Sequence, residues 1–120
     1  MPIKPNIKVN EDSSCRLTFQ LTDYDGTGIE PADLLTATMT LKDKETNTVI
    51  NSRNAIDVSG YFSASGNFSF ELVAADNAIQ NSDTHEETHV ATFSFTSDVG
   101  GNSISLVEEI YITVINLRGV

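Results

Sequence analysis

The residues that most resemble a catalytic centre are His85, Glu86 and His89, which form H-E-x-x-H within the segment HEETH. Metalloprotease chemistry needs this pattern on a helix, which brings both histidines to one zinc ion and makes the glutamate the general base. Here HEETH continues into VATFSFT, whose alternating apolar residues predict a strand. Histidines four residues apart on a strand lie roughly 13 Å from each other. We therefore predict no catalytic zinc and a fold that does not depend on metal, and we expect replacement of both histidines by alanine to leave the melting temperature nearly unchanged.

A second pattern, DYDGTG, places the carboxylates of Asp23 and Asp25 and the hydroxyl of Thr27 around a glycine turn. Alternating oxygen ligands of this kind can surround a calcium ion. An EF-hand loop that begins at Asp23 needs a bidentate glutamate at its twelfth position, which is Leu34 here. Aspartate and glycine are also the residues that a tight turn requires. The sequence predicts a plain turn, and Asp23, Asp25 and Thr27 are the candidate ligands of a cation at this place.

The remaining polar residues do not form a recognisable catalytic arrangement. The sequence suggests no Ser-His-Asp arrangement and no glycine-rich loop that could hold a phosphate group. Glu108 and Glu109 are adjacent on a predicted strand, so they point to opposite faces and make a poor acid–base pair. We therefore predict a non-enzymatic protein without a cofactor.

The rest of the chain consists of short segments in which apolar and polar residues alternate. SCRLTFQLT places its apolar residues on one face, and GNFSFEL repeats the pattern. A period of two is typical of strands with one buried and one wet face. About seven such strands, separated by turn residues, predict an all-β, antiparallel immunoglobulin-like sandwich that occupies residues 1–120 as a single domain. The predicted core residues are Leu17, Phe19, Leu21, Met39, Leu41, Phe68, Phe70, Leu72, Phe93, Phe95, Ile110, Ile112 and Val114.

Two details of this prediction concern the pairing of strands. Residues 37–43 and 47–52 flank the turn KETN and predict a hairpin. In the last strand, Glu108 shares its phase with the apolar Ile110 and would face the core. We therefore predict a β-bulge or a change of sheet near residues 107–109.

Composition narrows the classes of partner and the compartment. The 120 residues include 17 acidic and 7 basic side chains, which give a net charge of −10. Nucleic acids and anionic membranes are bound through clusters of Lys and Arg, so neither is an expected partner. Cys15 is the single cysteine, so no internal disulfide can form, and no apolar run is long enough to span a bilayer. With no leader after Met1, we expect the protein to be made and folded in the cytoplasm.

Four segments that together span nearly the whole chain are NEDSSCRLTFQLTDYDGTGIEP, LKDKETNTVINSRNA, EETHVATFSF and EEIYITVINLRGV. They resemble small immunoglobulin-like virion proteins of tailed bacteriophages. The resemblance implies a structural protein located in the virion, such as a capsid decoration (cement), neck or tail accessory protein, assembled in the host cytoplasm. Its implied partners are other virion structural proteins, met in many copies or as a homo-oligomer. The resemblance implies no individual binding residue.

Two segments are the best candidates for contacts with such partners. The first is a leading strand or docking arm at residues 1–9, which we expect to be only weakly held by the core. The second is the end of the last strand, which stays apolar past the expected rim of the sandwich. Both could use unpaired backbone groups at a sheet edge. Their apolar residues are Ile3, Ile7, Val9, Ile115, Leu117 and Val120.

The alternative is a sandwich that binds carbohydrate or a host receptor through its loops. Such modules usually expose a cluster of aromatic side chains. Trp is absent here, and most of the phenylalanines fall on inward positions of the predicted strands. The aromatic residues in predicted loops are Tyr24, Tyr61 and Phe62.

Overall fold

The computed structural model describes residues 6–23, 25–81, 83, 85–99 and 101–117, and these residues form eight β-strands in two sheets. Short 3-10 turns connect some of them, at Pro31–Asp33, Ser59–Tyr61, Ala64–Gly66 and Ala74–Asn77. Within the described part of the chain, no helix is long and apolar enough to cross a membrane. The strands are β1 (Asn6–Asn10), β2 (Cys15–Gln20), β3 (Leu34–Asp43), β4 (Ile56–Asp57), β5 (Phe62–Ser63), β6 (Asn67–Leu72), β7 (Glu86–Val99) and β8 (Asn102–Ile115).

The two sheets have the strand orders β1-β8-β7-β3-β4 and β2-β6-β5. β7 and β8 form a long hairpin whose pairing runs without interruption from Glu86–Ile115 to Val99–Asn102. The all-β sandwich predicted from the sequence is therefore confirmed. One pair departs from the predicted antiparallel pattern, because β1 runs parallel to β8.

Phenylalanine rings join the two sheets across the interior. The ring of Phe19 on β2 lies 5.3 Å from that of Phe93 on β7, and the ring of Phe68 on β6 lies 5.1 Å from Phe93. Both contacts are edge-to-face, the geometry that aromatic quadrupoles prefer. Every predicted core residue is buried except Phe19, which is half-buried. The period of two therefore identified the interior correctly.

The predicted hairpin partner at residues 47–52 is not a strand. This segment makes one isolated bridge to β3, between Val49 and Lys42. Asn47, Asn51 and Ser52 have φ angles of 61°, 51° and 57°, in the left-handed region where an extended strand cannot continue. β3 instead pairs with the short strand β4.

The bulge predicted near residues 107–109 is wrong. The register of β7 with β8 is continuous through this region, where Glu108 pairs with Phe93. Glu108 nevertheless reaches solvent and is exposed. Among the described residues, β1 covers the outer flank of β8 only from Tyr111 to Ile115. The carboxylate can therefore leave the inner face sideways, without a break in the strand.

A fully buried carboxylate, Asp76, holds the loops together at one end of the sandwich. Arg53 binds it in bidentate fashion, with Nε 2.9 Å from Oδ1 and Nη2 3.1 Å from Oδ2. Asn51 Nδ2 and the backbone N–H of Val73 also donate to it, each at 2.8 Å. Burial by itself raises the pKa of the Asp76 carboxyl, but the hydrogen bonds from Arg53, Asn51 and Val73 outweigh burial and hold that pKa below its ordinary value.

Truncation of a central ring tests the packing between the sheets. We expect Phe93→Ala to lower the free energy of unfolding by about 3–5 kcal/mol, because a large cavity replaces contacts with both sheets. Urea denaturation measures the change. Leu35→Ala is the control, because the side chain of Leu35 is 57% exposed. Its truncation should change the free energy of unfolding only slightly. Equal effects of the two substitutions would contradict the interior contacts described above.

The Asp76 network predicts a pH dependence with a definite sign. Since the folded-state pKa lies below the unfolded value of about 3.9, the stabilisation is fully present above that value and is lost as pH falls through the folded-state pKa. We expect Asp76→Asn to cost about 3 kcal/mol at neutral pH, with a smaller difference from the wild type in acid. Urea denaturation across acidic pH, with the exposed Asp33→Asn as control, checks this expectation. A pH-independent difference would contradict it.

Candidate functional site

The edge of the five-stranded sheet is formed by β1, the segment that the sequence analysis identified as a docking arm. Its pairing with β8 runs from Asn6–Tyr111 to Asn10–Ile115. Ile7 and Val9 are half-buried and pack against the core, so the expectation of a weakly held arm is wrong for this stretch. Their apolar side chains are committed to the interior and not to a partner. Residues 1–5, including Ile3, lie outside the described residues.

The end of β8 behaves differently from β1. Ile115 is half-buried, whereas the side chain of Leu117 is 63% exposed. The backbone holds Leu117 in place, because its N–H donates to Glu11 Oε1 at 2.8 Å and the N–H of Glu11 donates to the Ile115 carbonyl at 2.9 Å. Leu117 is therefore the predicted contact residue that the structure presents to solvent. Val120 lies outside the described residues.

The outer side of β1 has no strand neighbour among the residues that the structure describes. Such an edge offers backbone N–H and C=O groups to which a strand of another protein can pair. The side chains of Asn6, Lys8 and Asn10 along it are exposed. Together with Leu117, this side of β1 forms a surface that we name the β1 edge.

The outer face of the five-stranded sheet is rich in hydroxyl groups. Its residues on β3 and β7 alternate with the buried core residues, and Thr36 Oγ1 lies 2.6 Å from Thr96 Oγ1 on the neighbouring strand. Charged residues of both signs also lie on this face, such as Lys42 on β3 and Glu109 on β8. The hydroxyl residues that β3 and β7 contribute to it are Thr36, Thr38, Thr40, Thr88, Thr92, Ser94 and Thr96.

The DYDGTG segment forms the predicted turn. Asp23 Oδ1 accepts hydrogen bonds from the backbone N–H groups of Asp25, at 2.9 Å, and Thr27, at 3.1 Å. Gly26 supplies the positive φ, 81°, that the turn needs. Asp23 thus serves as a side-chain cap of the loop, and Asp25 and Thr27 are exposed.

The HEETH segment lies mostly on a strand, since β7 begins at Glu86. His85 and Glu86 are exposed, whereas His89 is fully buried. His89 Nε2 pairs with the carboxylate of Glu87. The sequence analysis placed this segment at the entry to a strand, which is confirmed, but it did not assign His89 to the core. The signal that could have revealed it is its position two residues before the buried Ala91, in the phase of the core.

An open groove of about 650 Å³ lies on the three-stranded sheet. Tyr61 stands at the groove with its side chain 49% exposed, and its ring contacts Phe70 edge-on at 4.7 Å. The adjacent Phe62 is one of the loop aromatics predicted from the sequence. The pairing of β2, β6 and β5 brings further residues to the groove that are distant from Tyr61 in sequence. The lining consists of Thr18, Phe19, Gly60, Tyr61, Phe62, Ser63, Asn67, Phe68 and Ser69.

Neither the family models nor the curated proteins gave a match to this sequence. Among solved structures, the chain is similar to the N-terminal domain of phage TP901-1 ORF48, with 19% sequence identity and a TM-score of 0.41. The alignment covers 94% of this chain and 83% of that chain. At this level the likeness assigns neither a family nor a function to the protein.

The different positions of the two histidines give a direct test. We now expect His89→Ala to lower the melting temperature by several degrees, because it leaves a cavity and removes a partner from the carboxylate of Glu87. His85→Ala should have little effect, since His85 is exposed. Thermal unfolding followed by circular dichroism compares the two variants. Equal melting temperatures would show that His89 does not support the fold.

Proposed function

We propose that this protein is a non-enzymatic structural component of a bacteriophage virion, such as a capsid decoration, neck or tail accessory protein. It acts by contacts with other virion proteins and is located in the particle. The proposal begins from the resemblance of four sequence segments to small immunoglobulin-like virion proteins. The observation that carries it further is the β1 edge, an open sheet edge beside an exposed leucine.

The strand order supports the immunoglobulin-like part of this proposal. Immunoglobulin-like sandwiches contain one sheet that includes strands B, E and D in that order and a second with C, F and G. If β2 is strand B, the order β2-β6-β5 corresponds to B-E-D, and β8-β7-β3 corresponds to G-F-C. The missing Cys-Trp-Cys hallmark separates the chain from antibody domains, since it has one Cys and no Trp.

Copy number makes a modest contact sufficient for this role. An added strand contributes main-chain hydrogen bonds, and Leu117 contributes an apolar contact beside them. In a particle, the same contact is repeated by symmetry, so its overall strength exceeds that of one copy.

The groove on the three-stranded sheet favours a second candidate function, the binding of a carbohydrate or receptor. Tyr61 offers an exposed ring, while Thr18, Asn67 and Ser69 offer hydroxyl and amide groups beside it. An aromatic face with nearby hydrogen-bonding groups suits a sugar ring. Screening of immobilised glycans with the wild type and Tyr61→Ala distinguishes this function from the first.

Placing a charge at the β1 edge tests the proposed contact. We expect Leu117→Asp to fold normally, because the side chain is exposed, but to lose most of its incorporation into particles. Val107→Asp is the matched control, since Val107 is 64% exposed and lies on the uncovered half of β8. Quantitative mass spectrometry of purified virions measures the number of copies of each variant.

Two results would contradict the proposal in different ways. Virions that lack the wild-type chain altogether would exclude the structural role. Full incorporation of Leu117→Asp would leave the role intact and move the contact elsewhere. Deletion of residues 1–9 would not test the contact alone, because it also removes most of β1 from its pairing with β8.

A further inference from the structure

A cluster of three potential metal ligands lies at the rim of the sandwich. Asp43 ends β3, and Glu87 and His89 lie near the start of β7. Asp43 and His89 are direct partners in the strand register, and Glu87, two residues before His89, shares their face. One ligand atom from each residue lies within 4.8 Å of those from the other two. Three residues that are distant in sequence or alternate along a strand thus converge on one point.

The cluster is buried, and its carboxylates have no lysine or arginine partner among the described residues. His89 is 0% exposed and Asp43 is 3% exposed, while the side chain of Glu87 is 7% exposed. The ion pairs that lysine and arginine form in the described part of the chain are Arg16–Glu71 and Arg53–Asp76, and neither includes Asp43 or Glu87. Two carboxylates at such burial are costly unless a positive charge compensates them.

The hydrogen bonds around the cluster do not supply that charge. Thr46 Oγ1 donates to Asp43 Oδ2 at 2.8 Å, and the backbone N–H groups of Gln80 and Asn81 donate to Glu87, each at 2.9 Å. These donors are neutral. His89 Nε2 pairs with Glu87, but its Nδ1 is buried and has no hydrogen-bond partner. Nε2 is therefore the ring nitrogen that faces the carboxylates, and Nδ1, on the other side of the ring, is not fixed by a hydrogen bond to a described protein atom.

An ion can reach the cluster from solvent. A depression of about 430 Å³ opens beside it, bordered by Asp43 and Glu87 and by the further acidic residues Glu45 and Glu86. Lys44 also borders this opening, but its ammonium lies over the ring of Tyr111, 6.0 Å from the ring centroid. The opening is therefore dominated by acidic groups that attract cations.

We propose that Asp43, Glu87 and His89 bind a divalent first-row transition-metal ion such as Zn²⁺. One imidazole nitrogen with two carboxylate oxygens suits such ions, whereas Ca²⁺ and Mg²⁺ prefer oxygen ligands alone. Bonds of about 2.0–2.2 Å bring ligand atoms roughly 3–4 Å apart, which requires only a small rotation of a carboxylate. The ion clamps the end of β3 to the start of β7 and leaves a coordination position for water or a partner's side chain.

This site is not the H-E-x-x-H site that the sequence analysis rejected. A helical metalloprotease motif would use His85, Glu86 and His89. On a strand, the alternate residues Glu87 and His89 lie on the same face instead, and the pairing of β3 with β7 places Asp43 opposite His89. His85 is exposed and remains outside the cluster, so it provides a matched control position within the same five residues.

The test is titration of chelator-treated, full-length protein with Zn²⁺ by isothermal calorimetry. We expect one zinc ion per chain and a higher melting temperature with zinc. Asp43→Asn and His89→Gln should weaken the affinity about tenfold or more, while His85→Gln should leave it unchanged. Mg²⁺ and Ca²⁺ should not compete. Loss of binding in His85→Gln, equal binding in all variants, or no binding by the wild type would each overturn the proposal.

A spectroscopic measurement on the wild type guards against variants that fail to fold. Co²⁺ in place of Zn²⁺ should give visible d–d absorption with an intensity typical of low coordination number, and Zn²⁺ should remove it. Circular dichroism shows which variants keep the sheet structure. If His89→Gln does not fold, the cobalt spectrum and Asp43→Asn decide the matter, and a featureless cobalt spectrum overturns the site.

Discussion

The buried carboxylate of Asp76 is the interaction on which the relative placement of the two sheets depends most. Arg53, whose backbone is hydrogen-bonded to β3 of the five-stranded sheet, grips it in bidentate fashion. The N–H of Val73, directly after β6 of the three-stranded sheet, donates to the same carboxylate. Asn77, which directly follows Asp76, donates from its side chain to the carbonyl of Ser13 and so connects the loop between β1 and β2 to the same network. Because a buried charge tolerates no missing partner, these loops are fixed as a unit.

The same turn also determines the surroundings of the rim cluster. From Asp76 the chain continues to Gln80 and Asn81, whose N–H groups hold the carboxylate of Glu87. The two acidic sites differ in one respect that matters chemically. Asp76 is paired with Arg53, whereas Asp43 and Glu87 have no lysine or arginine partner among the described residues. The Asp76 site thus has its counter-charge in Arg53, and the cluster of Asp43, Glu87 and His89 is suited to bind a cation from solution.

The sequence predicted what depends on local alternation and missed what depends on distant pairing. Phe68 and Phe93 were assigned correctly because burial in a sandwich follows the period of the strand. The burial of His89 was not predicted because its neighbours in sequence are polar, and the acidic residue opposite it, Asp43, is far away in sequence. Glu108 was expected to force a bulge because the sequence does not indicate which flank of a strand lies open. Edge position is a property of the assembled sheet, which only the topology supplies.

The parallel pairing of β1 with β8 has a mechanical consequence. Since the two strands run in the same direction, the chain enters at one end of the pair, near Asn6, and leaves at the other, beyond Ile115. A force that pulls these two points apart acts along the strands and loads their hydrogen bonds simultaneously, in shear. Bonds loaded together resist far more than bonds that open one at a time. This sheet edge is therefore the part of the molecule best arranged to carry tension between whatever precedes β1 and whatever follows β8.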